Sequence, residues 1–518
     1  MFKVVVFALA ACSVLGAQHL VRYRSTVDQT EQPYALYVPK TYDAARRYPV
    51  VISLHPEDSN HIASLQMTFG ISLRLGELGL PSLASALASR QVDYLVAAPF
   101  ARGTMGYQGI AEQDVYDVLA DVKRRYSVDD DRVYLTGASM GGGGALWLAL
   151  TRPDVWAAVA AVCPDEFPGT AELAPNALNL PVRLYHGFLD QLNPAEVSRQ
   201  WQRRLLGLDS PVEYIEYPTV AHNSWDSAYA RGEIFEWFAK YRRDPNPERV
   251  RLAVRQGRYG AAYWAQVDGF TPGATGLLDA TRADGVVRVQ TRNLDAFTLK
   301  TAARQVSIDG AAVRLRPGAP LSFSRTARGW TQATAAVSRP AGPIVEAVNG
   351  NHIYVYPAED PETRRNAESA AAWSSNRSRL NLKFAVKSDL EVTEEDVRSA
   401  NLVLFGTARN NRVIARFEPR FPLVLDPGAA DYGLLFILSE GQHYVLVSSG
   451  LPWWTGADEA NRGGYRYAPP TWRLLSTFGD YVLFKGSLSH VLAEGYFDRN
   501  GKAGADAKLR AAGTVTVR

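Results

Sequence analysis

From about residue 20 to residue 243 the chain alternates between short apolar runs and longer amphipathic stretches. Tyr48-Pro-Val-Val-Ile-Ser-Leu-His55 and Asp93-Tyr-Leu-Val-Ala-Ala-Pro99 are near-continuous apolar runs, as in strands covered on both faces. Between about Glu112 and Arg125, Val115, Val118, Leu119 and Val122 follow a 3.6-residue period, which predicts an amphipathic helix. Further strands are expected at 31–40, 132–135, 156–163, 181–187 and 211–218, and further helices at about 72–90, from Ala145 onward, at 195–206 and at 224–242. This alternation predicts an α/β fold with a mostly parallel, doubly wound sheet over residues 18–243.

The pattern then changes twice. Asp244-Pro-Asn-Pro-Glu248 reads as a linker. From 250 to 340, short alternating runs are separated by turn pairs such as Asp309-Gly310 and Pro317-Gly318, which predicts a small all-β module of sandwich type. Pro340-Ala-Gly-Pro343 marks a second boundary. Residues 344–518 return to strand–helix alternation, with helices expected at about 361–375 and 393–400, and predict a second small α/β domain. No phosphate-binding glycine fingerprint lies in it.

Residues 1–17 read as an export signal: Lys3 is a positive start, Val4 to Gly16 an apolar run, and cleavage is expected after Ala17. The run is too short to span a bilayer, so the expected location is secreted or periplasmic. In a second reading, Leu9-Ala-Ala-Cys12 resembles a lipobox, which would place a lipid anchor on Cys12. Composition changes little: 47% hydrophobic, 21% charged and a net charge of +3 are ordinary for a soluble chain of 518 residues. With no basic stripe carrying interleaved aromatics, no nucleic-acid partner is expected. Cys12 and Cys163 are the only cysteines. Signal removal would leave Cys163 alone, without a disulfide and best read as a small buried residue.

The chemistry centres on Thr136-Gly-Ala-Ser-Met-Gly-Gly-Gly-Gly144, between the run ending at Leu135 and the helix beginning near Ala145. Gly137, Ser139 and Gly141 form Gly-x-Ser-x-Gly, the pattern of a sharp strand-to-helix turn that exposes a serine hydroxyl above a sheet. The following helix would aim its free N–H groups and positive dipole end at the charge that develops in acyl transfer. Serine needs a base, and the base an orienting acid. His186-Gly-Phe-Leu-Asp190 follows one apolar run, and Thr219-Val-Ala-His222 follows the next. Asp190 or His222 alone reads equally well as an ordinary loop residue. Three placements at strand ends, in the order Ser, Asp, His, predict a Ser139–His222–Asp190 triad.

These motifs, with Asn193-Pro194 and His222-Asn-Ser-Trp225, resemble the α/β-hydrolase superfamily, over roughly residues 20–243. The branch they resemble holds secreted polyester depolymerases, feruloyl and acetyl-xylan esterases and prolyl-oligopeptidase-like hydrolases. The resemblance implies Ser139 as nucleophile, His222 as general base, Asp190 as orienting acid and Met140 N–H as one oxyanion donor. The second donor should come from the loop after Leu54. His55-Pro56 stands where the family commonly shows His-Gly; Pro56 has no N–H, so Glu57 is the expected donor. Tyr107 and Arg102, in the Gly-rich loop 102–109, are expected to rim the site, a structural turn being the alternative. Trp225 is expected to line the pocket, core packing being the alternative. No metal or cofactor is implied, since no His-Glu-x-x-His or comparable spacing occurs. The leading reading is an exported serine hydrolase acting on small-molecule or polysaccharide esters. The rivals are a prolyl-oligopeptidase-like peptidase and a glycan-binding protein with a vestigial hydrolase.

Overall fold

The computed structural model describes residues 18–71, 91–333, 342–373, 382, 384–462, 467–498, 500–504 and 506–518. The expected export signal and the helix expected at 72–90 lie outside these residues.

An eight-stranded sheet occupies the first part of the chain. Its strands are β1 (Gln18–Arg24), β2 (Glu31–Tyr37), β3 (Tyr48–Leu54), β4 (Leu95–Pro99), β5 (Val128–Ala138), β6 (Ala158–Val162), β7 (Val182–Gly187) and β8 (Val212–Tyr217), in the order β1-β2-β4-β3-β5-β6-β7-β8. The first two pairings, β1–β2 and β2–β4, are antiparallel. All pairings from β4 to β8 are parallel. The continuous apolar runs have a direct cause. Val50, Ile52 and Leu54 enter one apolar cluster, Val51 the opposite one, because side chains alternate along a strand. Helices α1 (His61–Thr68), α2 (Ile110–Arg125), α3 (Met140–Thr151) and α4 (Glu196–Leu206) cover the sheet. Asn60 caps α1, its side chain accepting from Ile62 and Ala63 N–H.

The expected closing helix at 224–242 is broken. Trp225–Ala228 and Glu233–Phe238 are separate helices, because Arg231 and Gly232 take φ of 61° and 75°, a left-handed conformation that no α-helix propagates. The apolar periodicity continues across the break, which is why the pattern did not reveal it.

Residues 249–332 carry two five-stranded sheets that share one apolar cluster, including Leu252, Val267, Phe297 and Phe323. Further on, a seven-stranded sheet runs in the order Ala385–Ser388, His352–Tyr356, Asn401–Phe405, His443–Gly450, Tyr432–Glu440, Tyr481–Lys485, Ser487–Gly495. Its first four strands are parallel and the rest antiparallel. Pro361–Ala371 and Glu394–Ser399 are helical near the expected places. The regions are packed together. The cluster on the α2 and α3 face of the first sheet also contains Tyr259, Ile344, Trp453 and Trp472. Among the described residues no helix is long and apolar enough to cross a membrane.

Candidate active site

Ser139 sits in the corner between β5 and α3 with φ 55° and ψ −118°, a backbone conformation that is strained for any residue with a side chain. Gly141 permits the corner: a Cβ there would stand 2.3 Å from Leu54 O, a backbone atom that cannot step aside. The Ser139 N–H donates to Val162 O at 2.9 Å, tying the corner to β6. Asp190 follows β7, and His222 follows β8. Gly187 lets these two loops meet, since a Cβ there would lie 2.2 Å from Ala221 O.

The three side chains form one hydrogen-bonded chain. Ser139 Oγ lies 3.0 Å from His222 Nε2, and His222 Nδ1 lies 2.7 Å from Asp190 Oδ2. The other carboxylate oxygen, Oδ1, accepts from the Leu192 and Asn193 N–H groups at 2.9 and 3.0 Å. Asp190 therefore has one oxygen held by its own loop and one turned to the imidazole. The Asp190 side chain is fully buried, while that of His222 is 20% exposed, so solvent and reactant approach from the His222 and Ser139 side. The Trp225 ring stands edge-on to His222 with centroids 5.4 Å apart and is half-buried, which places it beside the imidazole.

Met140 opens α3; its N–H is among the first-turn amides that have no acceptor within the helix. The loop carrying Glu57 lies against the same corner, since the Leu54 and His55 carbonyls face Gly141. That loop is firmly held. The His55 ring nitrogens lie 2.8 Å from Pro56 O and 3.0 Å from Phe100 O, and Thr104 Oγ1 accepts from Asp58 N–H at 2.8 Å. Burial keeps the His55 pKa below its ordinary value. Glu57 itself is half-buried.

Two expected rim residues lie in the core instead. Arg102 is 1% exposed; its guanidinium pairs with Asp28 at 2.7 Å and with Asp114, and donates to Ser25 Oγ at 2.7 Å. It ties the β1–β2 turn to α2, and no part of it is left for a substrate. Tyr107 is 0% exposed. Its ring lies under Gly144, and its hydroxyl donates to His55 O at 3.1 Å. Tyr107 supports the His55 loop from beneath. Polar residues in a Gly-rich loop read as a rim, but here buried carboxylate and carbonyl partners turned both inward.

Behind Asp190 lie Asn193, one of the motif residues, and Cys163, which is buried as expected. Asn193 Nδ2 donates to Cys163 O at 3.1 Å, and the Cys163 thiol donates to His222 O at 3.3 Å. Burial pushes the Cys163 thiol up to about 12, so it stays protonated and unreactive. Cys163, Asp190 and His222 place ligand atoms within 4.8 Å of one another, the one such grouping among the described residues. Binding a metal there would require a thiolate and would break the Asp190–His222 hydrogen bond.

Residues 25–257 match the Esterase family model. Over these residues, less than half of the chain, the sequence is similar to the putative esterases that the model describes. No curated protein matches the chain. Among solved structures, a thermostable esterase is 22% identical, with 44% of this chain and 63% of that one covered and a TM-score of 0.36. The chain thus spans less than two thirds of that esterase. A CE1 ferulic acid esterase from Anaeromyces mucronatus, in complex with ferulic acid, is 17% identical, with 42% and 88% covered and a TM-score of 0.34. The Pyrococcus horikoshii acylaminoacyl peptidase is 15% identical, with 44% and 42% covered and a TM-score of 0.33.

Proposed function

We propose that the protein is a carboxylic-ester hydrolase that works through an acyl-enzyme on Ser139. His222 Nε2 takes the Ser139 hydroxyl proton as Oγ attacks the ester carbonyl, and the carbonyl oxygen becomes an oxyanion. The N–H groups of Met140 and Glu57 receive that charge. His222 returns the proton to the leaving alcohol. A water molecule, deprotonated by the same imidazole, then releases the acid and restores Ser139. Asp190 fixes the imidazole with Nδ1–H facing the carboxylate and stabilises the imidazolium. Trp225 borders the pocket. The observation that carries this reading is the unbroken hydrogen-bonded chain from Ser139 through His222 to Asp190.

The substrates proposed are small acyl esters and acyl groups carried on polysaccharides, the class the family resemblance implies. Export through residues 1–17 belongs to the same proposal, and it puts the enzyme where such polymers are met. The test is turnover of acetyl, short-chain and feruloyl esters beside a panel of proline amides, with Ser139→Ala as control. Ester hydrolysis that disappears in Ser139→Ala is the expected result. Cleavage of the amides in preference to the esters would make the protein a peptidase. Activity that survives Ser139→Ala would remove the proposal altogether.

A further inference from the structure

His186 ends the apolar run of β7 and is 0% exposed, and Ser198, on α4, is 0% exposed as well. The His186 Nε2 atom lies 2.8 Å from Asn193 O and 3.3 Å from Asp190 Oδ2, the same oxygen that faces His222. Its Nδ1 atom lies 2.7 Å from Ser198 Oγ. The protonation follows from the partners. Asn193 O can only accept, so Nε2 carries the hydrogen. Burial disfavours the charged ring and lowers its pKa, so Nδ1 is bare and accepts the Ser198 hydroxyl hydrogen.

We infer that His186 is a positioning residue for the triad, its Nε2–H shared between Asn193 O and Asp190 Oδ2 and its ring locked by Ser198. The inference rests on the triad reading above. It has two consequences. The Asp190–Asn193 turn is clamped from beneath, so the carboxylate cannot rotate away from His222. The carboxylate oxygen also divides its charge between two imidazoles, which reduces what His222 receives. Removing the second donor therefore loosens the geometry and, in the molecules still aligned, makes His222 more basic.

The experiment compares His186→Phe, His186→Gln and Ser198→Ala by kcat, KM, pH profile on p-nitrophenyl acetate, and Tm. His186→Phe keeps a planar ring but donates nothing; Gln keeps an N–H of similar reach. His186→Phe is expected to lower kcat about tenfold with KM nearly unchanged, in the range of a lost supporting hydrogen bond at a functional site. The acid limb of its kcat/KM profile should move to higher pH. His186→Gln should recover most of kcat, and Ser198→Ala should lose about threefold with the same direction of limb shift. A His186→Phe protein with parental kcat and pH profile would overturn the inference. So would a loss of kcat that leaves the limb unmoved and that Gln does not repair, since that is merely structural damage. Should the Phe protein fail to fold, Ser198→Ala with a parental kcat and profile overturns it equally. Loss of the triad reading itself would show separately, as ester hydrolysis persisting in Ser139→Ala.

Discussion

The first sheet and the seven-stranded sheet both present carboxyl ends of parallel strands, and both place an aspartate just behind a strand. They use it differently. Asp190 engages Leu192 and Asn193 N–H groups with Oδ1 and turns Oδ2 to side chains, His222 at 2.7 Å and His186 at 3.3 Å. Asp389, behind Ala385–Ser388, gives Oδ1 to Ala358 N–H and Oδ2 to Arg412 N–H, both at 2.9 Å. One carboxylate reaches out of its loop; the other is fully occupied in stapling backbone. The strand-to-helix turns differ in the same way. The β5–α3 corner holds a serine at φ 55° with its hydroxyl on a histidine. After Asn401–Phe405 the positive φ falls on Gly406. Asn410 and Asn411 turn inward there, to Thr407 N–H and to the Val413 and Ile414 N–H groups. On the proposed function, the two similar edges differ in whether polar groups are left pointing away from the chain's own backbone.

One substitution made at both edges tests this contrast most severely. Asp190→Asn should lower kcat about ten-thousand-fold, because an amide cannot hold the imidazole in the tautomer that accepts from Ser139; steady-state kinetics on p-nitrophenyl acetate checks it. The corner comes next. Gly141→Ala forces a methyl toward Leu54 O and should cost about 4 kcal/mol or more, lowering Tm by about 4–8 °C in calorimetry.

A smaller effect is expected where the regions join. Glu346 is buried, and its pKa is raised to about 7, chiefly by loss of hydration and also by the nearby Glu112, against the opposing pull of Arg258 and the hydrogen bond from Asn349. A folded-state pKa above the unfolded one means that the stabilising proton is present at pH 4.5 and lost as the pH rises through 7. This group should therefore remove about 3 kcal/mol of stability across that window. Denaturant melts of Glu346→Gln should show that part of the pH dependence gone. Smallest of all, Asp389→Asn should cost about 1–2 kcal/mol of stability and leave kcat and KM on p-nitrophenyl acetate unchanged. Activity loss there comparable to Asp190→Asn would erase the distinction between the two edges.

Much of this is legible in the sequence alone. Ser139, Asp190 and His222 each follow an apolar run, and a parallel sheet puts the ends of such runs on one rim. The strands at 48–54 and 95–99 were visible because both faces are covered and hardly a polar residue interrupts them. What stayed hidden depends on distant partners. Arg102 looked like a rim residue because Asp28 lies 74 positions away and its approach is set by folding. In the sequence His186 is only part of a motif, because its surroundings form when Ser198 and Asn193 close around it. Strand β1 (Gln18–Arg24) is hard to read from the sequence because its apolar run is only Leu20-Val21 and Arg22 and Arg24 follow it at a sheet edge, where charge keeps exposed edges from pairing further.

The central claim is that Ser139 is activated by His222, and labelling with a fluorophosphonate probe followed by peptide mass mapping tests it most directly. The account predicts a single adduct on Ser139, formed rapidly in the parent protein, strongly slowed in His222→Ala and absent in Ser139→Ala. A folded parent protein that takes no label, or that takes it on another residue while Ser139→Ala still hydrolyses esters, would contradict it.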